Sequence, residues 1–291
     1  MKIFDCTTYF DEELLMDVRF NILNEKVEKF IVVESCYSHS GKKKALNFKI
    51  DNYKKFKDKI IYIVIEKEPD EINRDENLKS IDKRANSLKR IDQSYEFMMK
   101  GIDGASNSDL IILSDNDEIP NLNSNQFLKS KSDIIIFKQL FFYYKFNLFY
   151  DQFKWQGTKA TRYKNFLSPQ WLRNIKGKKY PKWRIATFFS KKKYTNLIFI
   201  ENGGWHFTCL KTPEELEKKL INFAHHYEFE ESGLKLDDLK KLIAEKRVMY
   251  DHTIDQKGYK WSGKSILKRI ELSNLPDYIS KNIDKYKDWI D

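Results

Sequence analysis

Short apolar runs of strand length, separated by amphipathic or polar stretches of helix length, occupy the first 140 residues of the chain. Lys2 to Phe4 opens the pattern as a short strand. "DEELLMDVRFNILNE" follows, with Leu14, Leu15, Val18, Ile22 and Leu23 on one helical face. Then come the strand "KFIVVES", the loop "CYSHSGKKK", the short polar helix "NYKKFKDK", the strand "IIYIVI" and a helical stretch from Glu76 to Met99. Further strands are expected at "LIIL" (Leu110 to Leu113) and from Asp133 onward. Strands alternating with helices of this length predict an α/β sandwich with a mainly parallel central sheet. Such sheets bind ligands at the carboxyl ends of their strands, where Asp5, Glu34 and the run Asp115 to Glu118 all fall.

From about Phe137 to Ile200 the texture changes to aromatic-rich strands and loops that carry Trp155, Trp171 and Trp183. Aromatics flanked by polar residues fit either a packed core or a platform for a sugar or base, and both readings stay open. "LIFIENGGWHF" then reads as a strand, a glycine turn and a tryptophan–histidine pair. The helix in "KTPEELEKKL" has its start marked by Thr212 as N-cap, Pro213 at the first position and Glu215 closing a capping box. Beyond it the chain is charged and reads as helical to Asp291. The expected organisation is a catalytic unit over 1–210, with a helical extension over 211–291 packed on the same domain.

Composition narrows the function classes. Cys6, Cys36 and Cys209 are odd in number and lack metal-type spacing, which predicts reduced thiols and a cytoplasmic protein. No apolar leader precedes the first strand and no apolar run is long enough for a bilayer, so a soluble protein is expected. A formal net charge of +10 invites a nucleic-acid reading. The basic segments, such as "GKKK" and "SKKKY", are however scattered, and solvated lysine is the plain reading. An anionic substrate or peripheral contact with a membrane surface stays open, a nucleic-acid partner is not expected, and the oligomeric state is not legible.

The run "LIILSDNDEIP" raises the chemical question. Like charges so close oppose one another's ionisation unless a cation or a proton sits among them. In an extended segment residues two apart point the same way, so Asp115 and Asp117 can face one ion. Hard oxygen donors in small number suit Mg²⁺ or Mn²⁺ completed by water and substrate phosphate. Turns are rich in aspartate, so the pair alone is weak. A dehalogenase-type phosphatase would want threonine where Ile119 stands, and a metal nuclease would want further carboxylates. A nucleotide-sugar transferase that clamps a diphosphate through a D-x-D fits the strand order best.

Four blocks, in order, carry a family resemblance: "FDCTTYFDEELLMDVRFNIL", "VEKFIVVESCYSHSGKKKALNF", "LIILSDNDEIP" and "GGWHFTCLKTPEELEKKLINFAH". Together they resemble glycosyltransferase family 17, the β-1,4-mannosyl-glycoprotein 4-β-N-acetylglucosaminyltransferases, over roughly Lys2 to His226. The resemblance implies a GT-A-type fold and inverting transfer of a sugar, N-acetylglucosamine from its UDP donor, to a hydroxyl of a glycan acceptor. It also implies a divalent metal at Asp115 and Asp117, with His206 as a later ligand or phosphate contact. Asp5, Thr7 and Thr8, Glu34, the "SHSG" turn with His39, and Ser114 beside Asp115 would border the nucleotide. The glutamine-arginine-asparagine run usual in the family is replaced by "DKRANSLKRIDQ", which leaves Arg84 and Arg90 as candidates for phosphate contacts. The membrane anchor of animal members has no counterpart, which fits a soluble microbial or viral enzyme. Glu201 is the first expected catalytic base and Glu118 the second. A D-x-D phosphatase and a basic nucleic-acid-binding module remain the alternatives.

Overall fold

A computed structural model describes residues 1–291 except 182, 188, 224, 255–258 and 262. The apolar runs form strands β1 (Ile3–Tyr9), β2 (Lys29–Ser35), β3 (Ile60–Ile65) and β4 (Leu110–Ser114). Downstream lie β5 (Glu118–Pro120), β6 (Ile134–Tyr143), β7 (Leu148–Phe149), β8 (Trp155–Arg162), β9 (Leu197–Ile200), β10 (Gly204–Thr208) and β11 (Lys268–Arg269). The first helices are α1 (Glu13–Leu23), α2 (Ser80–Phe97), α3 (Asn125–Leu128) and α4 (Pro169–Asn174). After them come α5 (Pro213–Leu220), α6 (His226–Ser232), α7 (Leu236–Ala244), α8 (Asp277–Lys281) and α9 (Ile283–Tyr286). No helix among the described residues is long and apolar enough to cross a membrane.

The sheet runs β11-β7-β6-β8-β4-β1-β2-β3, with β9 and β10 also on β6 and β5 on β10. The block β3-β2-β1-β4 is parallel throughout, and β8 lies antiparallel between β4 and β6. The expected α/β fold with a mostly parallel sheet is thus observed. In β2, Phe30 and Val32 join the core under α1, while Ile31 and Val33 join the core under α2. This two-residue alternation is what a strand covered on both faces requires.

Two stretches differ from the sequence expectation. β1 does not stop at Phe4 but runs to Tyr9, taking Asp5 and Thr7 into the buried centre of the sheet. The segment after 210 is helical in α5 to α7, but among the described residues between 245 and 276 only β11 and a 3₁₀ turn are regular. Leu216, Leu220, Leu239 and Trp261 from this segment pack with Phe141 and Tyr143 of β6 in one buried cluster. The extension therefore shares core with the sheet.

Asp5 is admitted because Arg19 of α1 is buried against it. Nε and Nη2 donate to both carboxylate oxygens, at 2.7 and 2.6 Å, and Nη1 donates to the Glu118 carbonyl at 2.5 Å. Both side chains are fully buried. Removing one member strands the other's charge, so Arg19→Met is expected to lower stability by about 3–5 kcal/mol in denaturant unfolding. Asp5→Leu combined with Arg19→Met should recover much of that loss. A single variant as stable as the parent would show that the pair does not bear on the fold.

Candidate active site

β4 ends at Ser114, and the chain turns through Asp115 to Asp117 before pairing again as β5. The turn is closed by its own groups: the Glu118 amide donates to the Asp115 carbonyl, and the Asp115 amide to Glu118 Oε2, both at 3.2 Å. β10 then aligns with β5 on one side, His206 opposite Glu118, and with β6 on the other, His206 opposite Phe141. Gly204 permits this approach: it sits at φ 129°, and a Cβ there would lie 2.1 Å from the Ile119 carbonyl oxygen. The Phe207 amide also donates to the Asp117 carbonyl at 2.8 Å. A histidine far along the chain is in this way delivered to the acidic turn.

The turn and His206 line a cleft of about 500 Å³. His206 Nε2 lies 3.2 Å from Asp117 Oδ1. Its ring is held between Phe141, stacked at 4.5 Å, and Trp155, tilted at 4.5 Å, while the buried Nδ1 has no hydrogen-bond partner. Lys219 of α5 stands 3.7 Å from Asp117 Oδ2 and 3.6 Å from Glu12 Oε1. Burial by itself would raise the Asp117 carboxyl; His206 and Lys219 outweigh it and hold the group well below the usual carboxylate range. Asp115 accepts from the Tyr95 hydroxyl at 2.5 Å and lies 3.5 Å from the Arg173 guanidinium of α4. The groups that offset the crowded carboxylates therefore come from β10, α2, α4 and α5.

Glu118 lines a second cavity of about 200 Å³, which shares Tyr95, Asp115, Trp155 and Arg173 with the main cleft. It accepts from Trp155 Nε1 at 2.5 Å. Burial, and then the nearby charge of Asp115, push its carboxyl up from 4.5 to about 7. Gly157 of β8 makes the room, since a Cβ there would stand 2.5 Å from the Glu118 carboxyl and 2.4 Å from Gln139 Oε1. Lys159, in the same cavity, is lowered to about 8 by burial.

The other expected site residues divide. Thr8 and His39 line the main cleft, and burial followed by the charge of Arg173 lowers His39 to about 4. Ser114 lies on the smaller cavity, bonded to Thr158. Thr7 is buried within β1, and Asp5 is bound to Arg19. Glu34 is buried at the end of β2, accepting from the Asn47 and Phe48 amides, the Tyr62 hydroxyl and Lys44, so it fastens the loop that follows β2. Arg90 is paired with Glu68 and donates to the His39 carbonyl. Arg84 lies on α2, where its charge is felt at His225 and Glu228. Glu201 borders neither cavity and is half exposed, paired with Lys138 at 2.5 Å and Lys154 at 3.6 Å. Arg173, Lys219, Tyr95 and Glu12 were not singled out from the sequence. The one signal for Lys219 was its place in the well-capped helix that follows "GGWHF".

The donor set bears on a metal. Among the described residues no three His, Cys, Asp or Glu side chains gather closely enough to hold an ion. Asp117 Oδ1 and His206 Nε2 do converge at 3.2 Å, close to the roughly 3 Å edge between neighbouring ligands of an octahedral cation with bonds of about 2.1 Å. The pair fits two adjacent ligand positions, with water and phosphate oxygens left to complete the shell.

The Glu118 shift has a pH consequence. Between 4.5 and about 7 the folded chain retains a proton there that the unfolded chain has released. Stability from this group therefore falls as pH rises through that window and is least above it. Glu118→Gln removes the titration. Relative to the parent, the variant should gain on the order of 3 kcal/mol in unfolding free energy from pH 4.5 to above 7. A pH-independent difference would refute the shift.

Distant structural similarities include the inositol-1-phosphate CTP transferase of T. maritima, at 13% identity and a TM-score of 0.34, covering 76% of this chain and 96% of that one. Another is the 2-C-methyl-D-erythritol 4-phosphate cytidylyltransferase of Francisella tularensis, at 12% identity and a TM-score of 0.33, covering 77% of this chain and 100% of that one. No curated protein matches the chain. The family model for glycosyltransferase family 17 matches residues 1–290, and the chain belongs to that family.

Proposed function

We propose that the chain is an inverting, metal-dependent transferase of GT-A type that moves N-acetylglucosamine from its UDP donor to a hydroxyl of a glycan acceptor. The observation that carries this reading is the convergence of Asp117, His206 and Asp115 on one cleft beyond the carboxyl end of β4. Family membership favours it over the phosphatase and nucleic-acid alternatives. Three free cysteines suit a reducing cytoplasm, where such a donor is at hand.

In this reading Asp117 and His206 hold a Mn²⁺ or Mg²⁺ ion, with Asp115 beside them. When bound, the ion supplies Lewis-acid neutralisation of the diphosphate leaving group. Lys219 and Arg173, at 3.7 and 3.5 Å from the carboxylates, would also face phosphate oxygens seated there and stabilise the charge that develops. Trp155 and Phe141 lock the imidazole edge-on to Asp117. Thr8 and His39 flank the nucleoside. The base moves from Glu201, which the two lysines hold at the surface, to Glu118. A carboxyl poised near 7 accepts a proton at neutral pH and can return it.

Asp117→Asn should abolish metal-dependent binding of UDP-N-acetylglucosamine in calorimetry with Mn²⁺, while the melting profile stays cooperative. Undiminished, metal-dependent binding would remove Asp117 from the site. Glu118→Gln should retain donor binding and lose transfer by roughly 10²–10⁴-fold. Near-parental transfer in that variant would exclude Glu118 as the base. No nucleotide release from any UDP-, GDP- or CDP-sugar with added glycans would overturn the transferase reading itself.

A further inference from the structure

Between α4 and β9 the chain makes an excursion that the catalytic reading does not use. Its base is closed: the Lys176 amide donates to the Lys192 carbonyl at 2.8 Å, and the Tyr180 amide to the Tyr194 carbonyl at 3.2 Å. Trp171 Nε1 of α4 donates to the Lys191 carbonyl at 2.7 Å. Beyond that base the tip presents large apolar side chains to solvent, Trp183 at 81% exposure, Ile185 at 71% and Phe189 at 86%. These are the most exposed bulky apolar side chains described apart from Met1 and Ile81, and they fall within seven positions of one another. Isolated exposed apolar residues are ordinary; three so exposed within seven positions of one loop mark a contact surface.

The flanks define what the tip contacts. No aspartate or glutamate occurs from 175 to 200. Lys176, Lys178, Lys179, Arg184, Lys191 and Lys192 are exposed around the tip. Lys178, Arg184 and Lys193 surround the Tyr180 ring at 5.5–5.9 Å, so cations stay gathered there. Tryptophan, phenylalanine and an aliphatic side chain on a basic rim match the two parts of a lipid interface. The apolar groups enter the acyl boundary, and the lysines remain among anionic headgroups. An exposed aliphatic isoleucine among them has no counterpart in single-stranded nucleic-acid recognition, which relies on ring stacking.

We propose that this loop docks the protein on an anionic membrane surface, with Trp183, Ile185 and Phe189 as the inserted groups. α4 carries both the anchor of the loop, Trp171, and Arg173 of the cleft, so docking holds the Asp115 side of the cleft close to the lipid. The proposal does not depend on the transferase reading.

The test is flotation with vesicles of phosphatidylcholine alone and of phosphatidylcholine mixed with phosphatidylglycerol. The protein should float with the mixed vesicles, weakly or not at all with the neutral ones, and less as salt rises. Trp183→Ser with Ile185→Ser and Phe189→Ser should weaken partition by about tenfold or more, with an unchanged melting temperature because the groups are exposed. Phospholipids with brominated acyl chains should quench tryptophan emission in the parent and less in Trp183→Phe. Failure to float with anionic vesicles overturns the proposal. So does equal flotation of the triple variant, which would leave only overall charge. Single-stranded RNA bound in preference to vesicles, with the same loss on substitution, would assign the loop to nucleic acid instead.

Discussion

Carboxylates crowded at a strand end are tolerable only where their charge is answered, and the architecture around the D-x-D follows from that constraint. Asp117 is answered by His206 and Lys219, and Asp115 by the Tyr95 hydroxyl and Arg173. Glu118 is answered by remaining able to hold its proton to about 7. Each answer arrives from a different part of the chain, so β10, α2, α4 and α5 must all be in place for the turn to keep its form. The groups that balance the turn are also the ones the proposed reading assigns to the leaving diphosphate, so charge compensation and substrate recognition would fall to one set of side chains.

Much of the frame was readable because local pattern and tertiary structure agree. "IIYIVI" and "LIIL" are strands, and the Thr212–Glu215 box starts α5 where its residues indicate. β1 was read too short because Asp5 and Thr7 look like loop residues until Arg19, fourteen positions on, is seen to neutralise the first. Glu34 was read as a nucleotide contact because a carboxylate at a strand end suits that role. Three donors from the loop after β2 and the Tyr62 hydroxyl of β3 bind it instead, and no local signal announces them. Glu201 lay close in sequence to His206, but the glycine turn between β9 and β10 sends the two to opposite environments. β9 and β10 both run parallel to β6, so the turn is a kink along one strand edge, with Glu201 in solvent at the kink and His206 buried beyond it.

The aromatic stretch resolves into separate jobs. Trp155 and Phe141 grip His206, whereas Trp171 ties α4 to the base of the following loop and Trp183 stands in solvent. Phe141 fits the core reading, while Trp155 packs on a histidine ring of the cleft. The extension after 210 supplies Lys219, Tyr250 and His252 to the cleft, and burial lowers His252 to about 3 so that it stays neutral at working pH. Lys260 lines the cleft on the same side, over the Tyr250 ring at 5.5 Å.

β10 is held between β5 and β6, and its residues are made long after both of those strands. A chain growing from the ribosome therefore exposes the acidic turn, and a β6 edge without its parallel neighbour, while the intervening residues are still being added. The β3-β2-β1-β4 block can form early from contiguous segments, but the cleft cannot close until α5 has emerged with Lys219. Contacts of such wide sequence separation form late. A chain cut short before α5 would lack Lys219, one of the two groups that hold the Asp117 charge, and the later residues that complete the cleft wall.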